Sequence, residues 1–164
     1  MTSPQDVTSD RVRIERTFTA PPALVWTLWT DPDHVAAWYG PDGSRVRVVR
    51  HDLYVGGTRL LSMEVDTPNG TRTMWFTGTF LEVVEDQRLV YTDAMADEHG
   101  TVLDPAELGM PAGHPVVTEV QIDLFATAEG TRLVLTHLGI PAGSPGETGW
   151  TMALDKLDKA LAVG

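Results

Sequence analysis

Few residues of this 164-residue chain are placed to do chemistry, and they gather near the ends of predicted strands. His137 follows Leu133 and Leu135 at two-residue spacing, and Asp93 follows Leu89 and Tyr91 in the same way. Successive strand residues point to opposite faces, so a face that buries those aliphatics carries His137 and Asp93 inward with them. A histidine and a carboxylate at one end of an apolar pocket can orient a polar ligand or exchange a proton with it. The alternative at both positions is a strand-end group that reaches solvent or bonds to backbone. Arg59 shares its face with Leu61, Met63 and Val65 and turns inward if the chain has no bulge at Gly57; a bulge there reverses the parity. An inward guanidinium needs an acidic partner, and alternation leaves Asp93 or a bound carboxylate to supply it, because Glu64 falls on the other face. His51, just ahead of Gly56-Gly57, has the same ambiguity.

Around these polar groups the sequence predicts an apolar wall. Ile122 lies between Val120 and Leu124 on one face of its strand, Leu135 continues the wall, and Tyr91 adds a hydroxyl. Trp75 and Phe76 are adjacent, so one of the two points away from the core; Trp75 is counted among the candidate ligand contacts, either on the surface or under the long loop if it is the outward one. The candidate ligand-binding set is therefore His137, Asp93, Tyr91, Arg59, His51, Trp75, Leu135 and Ile122. Other chemistries lack a signal. His34, His51, His99, His114 and His137 have no metal-ligand spacing, cysteine is absent, and no nucleophile elbow, phosphate loop or dinucleotide fingerprint occurs. No metal or cofactor is expected, and no catalytic residue is assigned.

Composition narrows the partners. With 23 acidic against 12 basic residues the net charge is -11, a field that opposes nucleic acid and anionic membranes. No apolar stretch approaches the roughly 18 residues that span a bilayer, and the start lacks a signal-peptide pattern, so a cytoplasmic location without membrane insertion is expected. A hydrophobic content of 42% in a chain of this length supports one core and one domain over 11–164, after a loose polar terminus over 1–10. Oligomeric state is not legible.

The elements that must position the candidates follow from patterning. Residues 12–18 alternate as a strand, and Pro22 to Thr30 and Pro32 to Trp38 read as two short helices, the second capped by Asp31. Six more strands follow, with Pro68-Asn69-Gly70, Glu85-Asp86-Gln87 and Glu129-Gly130 as tight turns, which argues an antiparallel sheet. Ala94 to Pro115, rich in glycine and proline, is predicted as one long loop that gates the pocket. Ser144-Pro145-Gly146-Glu147 reads as a capping box, and Trp150, Leu154, Leu157 and Leu161 then share one face of a long helix with Asp155 and Lys159 paired outside.

These elements carry a resemblance. Trp38-Tyr39-Gly40-Pro41 after two short helices, Gly56-Gly57 at the third strand, Gly78 with Leu81-Glu82-Val83, Arg88-Leu89-Val90-Tyr91-Thr92, and Gly149-Trp150 with spaced leucines come in the order of the activator-of-heat-shock-protein-90-ATPase homology family. That family resembles START-like and birch-pollen-allergen-like proteins, the SRPBCC superfamily. The resemblance implies an α+β helix-grip fold: a curved seven-stranded antiparallel sheet wrapped around a long C-terminal helix, with two short helices between strands 1 and 2. It also implies a cavity between sheet and helix for a small apolar or amphipathic molecule. A pocket enzyme of cyclase, lyase or hydrolase type and a chaperone-interacting stress-response module are the alternatives. The eukaryotic co-chaperones work through a further N-terminal domain, and no such segment precedes Val12, so the last is the least expected.

Overall fold

The computed structural model describes residues 10–110 and 113–163. The loose terminus expected over 1–10 lies outside them except for Asp10, whose carbonyl accepts the Gly139 N–H at 2.9 Å. The chain runs through β1 (Arg11–Phe18), α1 (Pro22–Thr30), α2 (Pro32–Trp38), β2 (Arg45–His51), β3 (Thr58–Thr67), β4 (Gly70–Val84), β5 (Arg88–Ala96), β6 (Thr118–Ala126), β7 (Thr131–Leu138) and α3 (Pro145–Val163). The seven strands form one antiparallel sheet in the order β1-β7-β6-β5-β4-β3-β2. This is the expected α+β helix-grip arrangement.

Local chemistry sets the boundaries. Asp31 accepts from the N–H groups of Asp33 and His34 while Pro32 fills the first helical position, so α1 stops and α2 starts at one residue. At Gly78 of β4 a Cβ would collide with the Thr92 carbonyl of the neighbouring β5, so the backbones approach as only glycine allows. The packing of α3 is as its pattern requires: Ala153, Leu154 and Leu157 are fully buried against Leu133, Leu135, Ile122 and Val12. Trp29, Trp38 and Trp150 interlock, Trp29 edge-on to Trp38 at 4.6 Å between centroids and stacked on Trp150 at 6.0 Å, and the Trp38 indole donates to the Leu28 carbonyl. The helices are thereby fastened to one another and to the sheet.

Three local expectations need correction. Ala94 to Ala96 are not loop but continue β5 opposite Trp75 to Thr77, with both alanines buried; the connection proper holds an Ala96–Val102 bridge and a 3-10 turn over Pro105–Leu108. The capping box at Ser144 does not form. Its carbonyl takes the N–H groups of Glu147 and Thr148, and its hydroxyl is buried with no partner among the described residues. Asp155 pairs with Arg16 of β1 at 2.8 Å rather than with Lys159, so that charge ties α3 to the sheet edge.

Candidate functional site

Helix α3 closes on the sheet along its C-terminal half and stands off it along its first turns. The space left is a wide cleft of about 730 Å³ bounded by the end of α2, by β3, β4, β5 and β7, and by the N-terminal half of α3. Met63, Met74, Phe76, Ile140, Trp150 and Met152 give it an apolar, deformable wall. A second cavity of about 610 Å³ lies beyond it, roofed by the β5–β6 connection through Pro105, Met110 and Pro115. The two share Phe76, Asp93, Ile140, Pro145 and Gly146, so Asp93 stands where they adjoin.

The polar groups at this end form two networks. In the first, the Trp150 indole N–H donates to His137 Nδ1 at 2.9 Å, and His137 Nε2 lies 2.7 Å from Thr118 Oγ1, which donates to the Asp93 carbonyl at 3.2 Å. An indole N–H can only donate, so Nδ1 is the bare nitrogen and Nε2 carries the proton to Thr118. Burial pushes the His137 ring down to about 4; the Asp93 charge pulls upward, and Arg59 and His114 lower it further. His137 is thus a neutral ring with both nitrogens committed.

In the second network Arg59 Nη1 donates to Asp93 Oδ1 at 2.8 Å, and Nη2 reaches the Tyr39 hydroxyl at 3.5 Å. The Tyr39 and Tyr91 hydroxyls are 2.7 Å apart, and the guanidinium carbon lies 4.1 Å from the Tyr91 ring centroid. Burial works against the Arg59 charge, but the oxygens of Tyr39, Tyr91 and Asp93 outweigh it and the guanidinium is held protonated. Burial also raises both phenols, Tyr91 well above its usual value. Arg59 points inward because the bulge sits in β2, between Val48 and Arg50, while β3 keeps one register with β4 throughout. Its acidic partner in the fold is Asp93. Asp93 Oδ2 has no hydrogen bond among the described residues, and its side chain keeps 20% of its exposure.

The structure places the other candidates apart. Trp75 faces the outer side of the sheet beside Arg47 and Glu98, and Phe76 takes the cleft side, since β4 turns Met74 and Phe76 together. Ile122 and Leu135 are core residues beneath α3 and border neither cavity. Tyr91 and Arg59 stand behind Asp93, out of contact with the cleft, and His51 packs edge-on to Phe80. Tyr39, Phe76 and Trp150 were missing from the candidate set, although Tyr39 and Trp150 lie within quoted motifs and Met74-x-Phe76 has the alternation of a cleft-facing strand.

A model of the family described as activator of Hsp90 ATPase homolog 1-like protein matches residues 19–162. The chain belongs to this family. Among solved structures that resemble this family member, a protein from Chromobacterium violaceum is 27% identical over 92% of this chain and 96% of its own, with a TM-score of 0.73. A protein from Arthrobacter aurescens is 24% identical over 97% and 90%, with a TM-score of 0.77. The AHSA1 protein from Silicibacter pomeroyi is 23% identical over 93% and 98%, with a TM-score of 0.67. No curated protein matches the chain. No helix among the described residues of this family member is long and apolar enough to cross a membrane.

The depressed His137 ring has a consequence for stability. An unfolded histidine protonates near pH 6.5, so between about pH 6.5 and 4 the unfolded chain binds a proton that the folded one refuses. Stability contributed by His137 is therefore full above pH 6.5 and falls as the pH drops toward 4, by about 3 kcal/mol in all. Proton NMR of the imidazole should show His137 neutral at pH 5; titration near 6.5 would contradict the network.

Proposed function

We propose that the cleft holds a small apolar or amphipathic molecule whose polar end is a hydrogen-bond donor, an amine or hydroxyl, rather than a carboxylate. The observation that carries this reading is Asp93: among the described residues it is the one carboxylate bordering the large cleft, no lysine or arginine borders either cavity, and one of its oxygens is without a donor. The Trp150 indole, the His137 ring and the Thr118 hydroxyl beside it are engaged in the His137 network, and the Tyr39 and Tyr91 hydroxyls bond to each other. An anionic head would meet the free oxygen of Asp93, whose charge Arg59 already pairs from behind, with no cation lining the cleft to receive it, whereas a donor would complete the hydrogen bonding of that oxygen. The volumes are those of sites for drug-sized molecules, and the methionine-rich wall suits a flexible tail. Acid–base catalysis by His137 and Asp93 is not favoured, because a histidine with both nitrogens committed and a ring pushed to about 4 is not poised to take a proton at neutral pH.

The test is displacement of a fluorescent apolar probe by compounds that share one alkyl or aryl tail and differ in head group. Amine and alcohol heads should displace it at about tenfold lower concentration than the carboxylate, a difference of about 1.4 kcal/mol. Tightest binding by the carboxylate would reject the donor-head assignment, and no displacement by any member would reject the site.

A further inference from the structure

Beside Arg59 a small space of about 10 Å³ lies between α1, α2 and strands β2 to β5. Two polar atoms with no partner among the described residues belong to side chains that line it: Trp29 Nε1 and His51 Nε2, both removed from solvent. Trp29 itself is 3% exposed, and Arg59 lines the same space. Its guanidinium has five N–H groups, of which Asp93 takes one and the Tyr39 hydroxyl a second at long range. Side chains from α1, β2 and β3 that carry a donor or a ring nitrogen to spare thus border one space.

We propose that this space is a binding site for a single internal water molecule, which ties α1, β2 and β3 together and positions Arg59 from behind. Its size admits one water and no larger guest, and a buried water holds its place when two to four polar groups bond to it. The donor and acceptor pattern is complementary. Trp29 Nε1–H and an Arg59 N–H can only donate, which fills the two acceptor positions of a water oxygen. Its hydrogens then serve His51 Nε2 and one of the hydroxyls of Tyr39 and Tyr91, which also line the space. His51 suits the acceptor role because burial, followed by the Arg59 charge, disfavours its protonation. Left without such a partner, each of these buried groups carries an uncompensated desolvation cost, so the site is one that water fills rather than one that stays dry. The assignment concerns the interior of the fold and stands whether or not the cleft binds a ligand.

The experiment is a crystal structure of the full chain at a resolution that shows ordered water, with a second crystal soaked in sodium bromide, and a solution measurement of water cross-relaxation at the Trp29 indole proton. Expected are one density peak within about 3.2 Å of Trp29 Nε1, His51 Nε2 and an Arg59 nitrogen, no bromide signal there, and a long-lived water cross-peak at the indole. In Trp29→Phe, or in His51→Leu should the first fail to fold, the peak and the cross-peak should be lost. A bromide at the site would make it an anion site and overturn the assignment. A dry space with no cross-peak, in protein whose other tertiary contacts are intact, would overturn it as well.

Discussion

Asp93→Ala is expected to destabilise the protein by about 3 to 5 kcal/mol, and Arg59→Met by clearly less. Arg59 is 4% exposed, so removing its carboxylate leaves a charged guanidinium in the interior with only phenol oxygens beside it. The reverse change removes the more deeply buried charge, and Asp93, with a fifth of its side chain exposed, can turn to solvent. The double variant Asp93→Leu, Arg59→Met should recover most of the loss, because apolar residues of similar volume replace a buried pair at little or no cost. Urea unfolding of the four proteins, read at constant m-value, measures all three quantities. Losses that are equal for the two single changes and simply add in the double would show that the pair is not coupled. A single domain has only about 5 to 15 kcal/mol of stability, so the effect on Asp93→Ala is large enough to lower the folded fraction at 37 °C.

Strand parity made much of the site legible. His137 and Asp93 point inward because Leu133, Leu135 and Leu89 must, and the bounds of α1, α2 and α3 followed from Asp31, the prolines and the leucine spacing. What parity could not fix was the direction of Arg59. That depends on where the extra residue of a bulge falls, and here it falls at Val49 in β2, while the Gly56-Gly57 turn is pinned by backbone bonds between Gly56, Gly57 and Phe80 before β3 begins. The choice between Trp75 and Phe76 was equally hidden, because both are aromatic and both could fill a core; register with Met63 and Met74 decides it. Least legible was the chain from Trp150 through His137 to Thr118. Its members come from α3, β7 and β6, so their meeting depends on the Val120–His137 register and on the rotation of α3, neither of which leaves a local trace. That chain changes the meaning of His137: a histidine read as a spare hydrogen-bonding group is in fact a fully bonded strut.

The most direct test of a binding cleft is to fill it from the helix that forms its wall. Gly149 lies in the first turns of α3 and borders the cleft, and a Cβ built there meets nothing within 4 Å. Gly149→Phe would project an aromatic ring into the open space, while replacing glycine within a helix removes a penalty of up to about 1 kcal/mol. Fold and ligand occupancy are thereby separated. A tail denied the burial of one large side chain loses about 1.5 to 3 kcal/mol, so displacement of the apolar probe by the amine-headed compound should require concentrations higher by about tenfold to a hundredfold. The account predicts that loss together with a melting temperature equal to or above that of the parent protein. Gly149→Phe that melts normally and binds every compound as the parent does would contradict it.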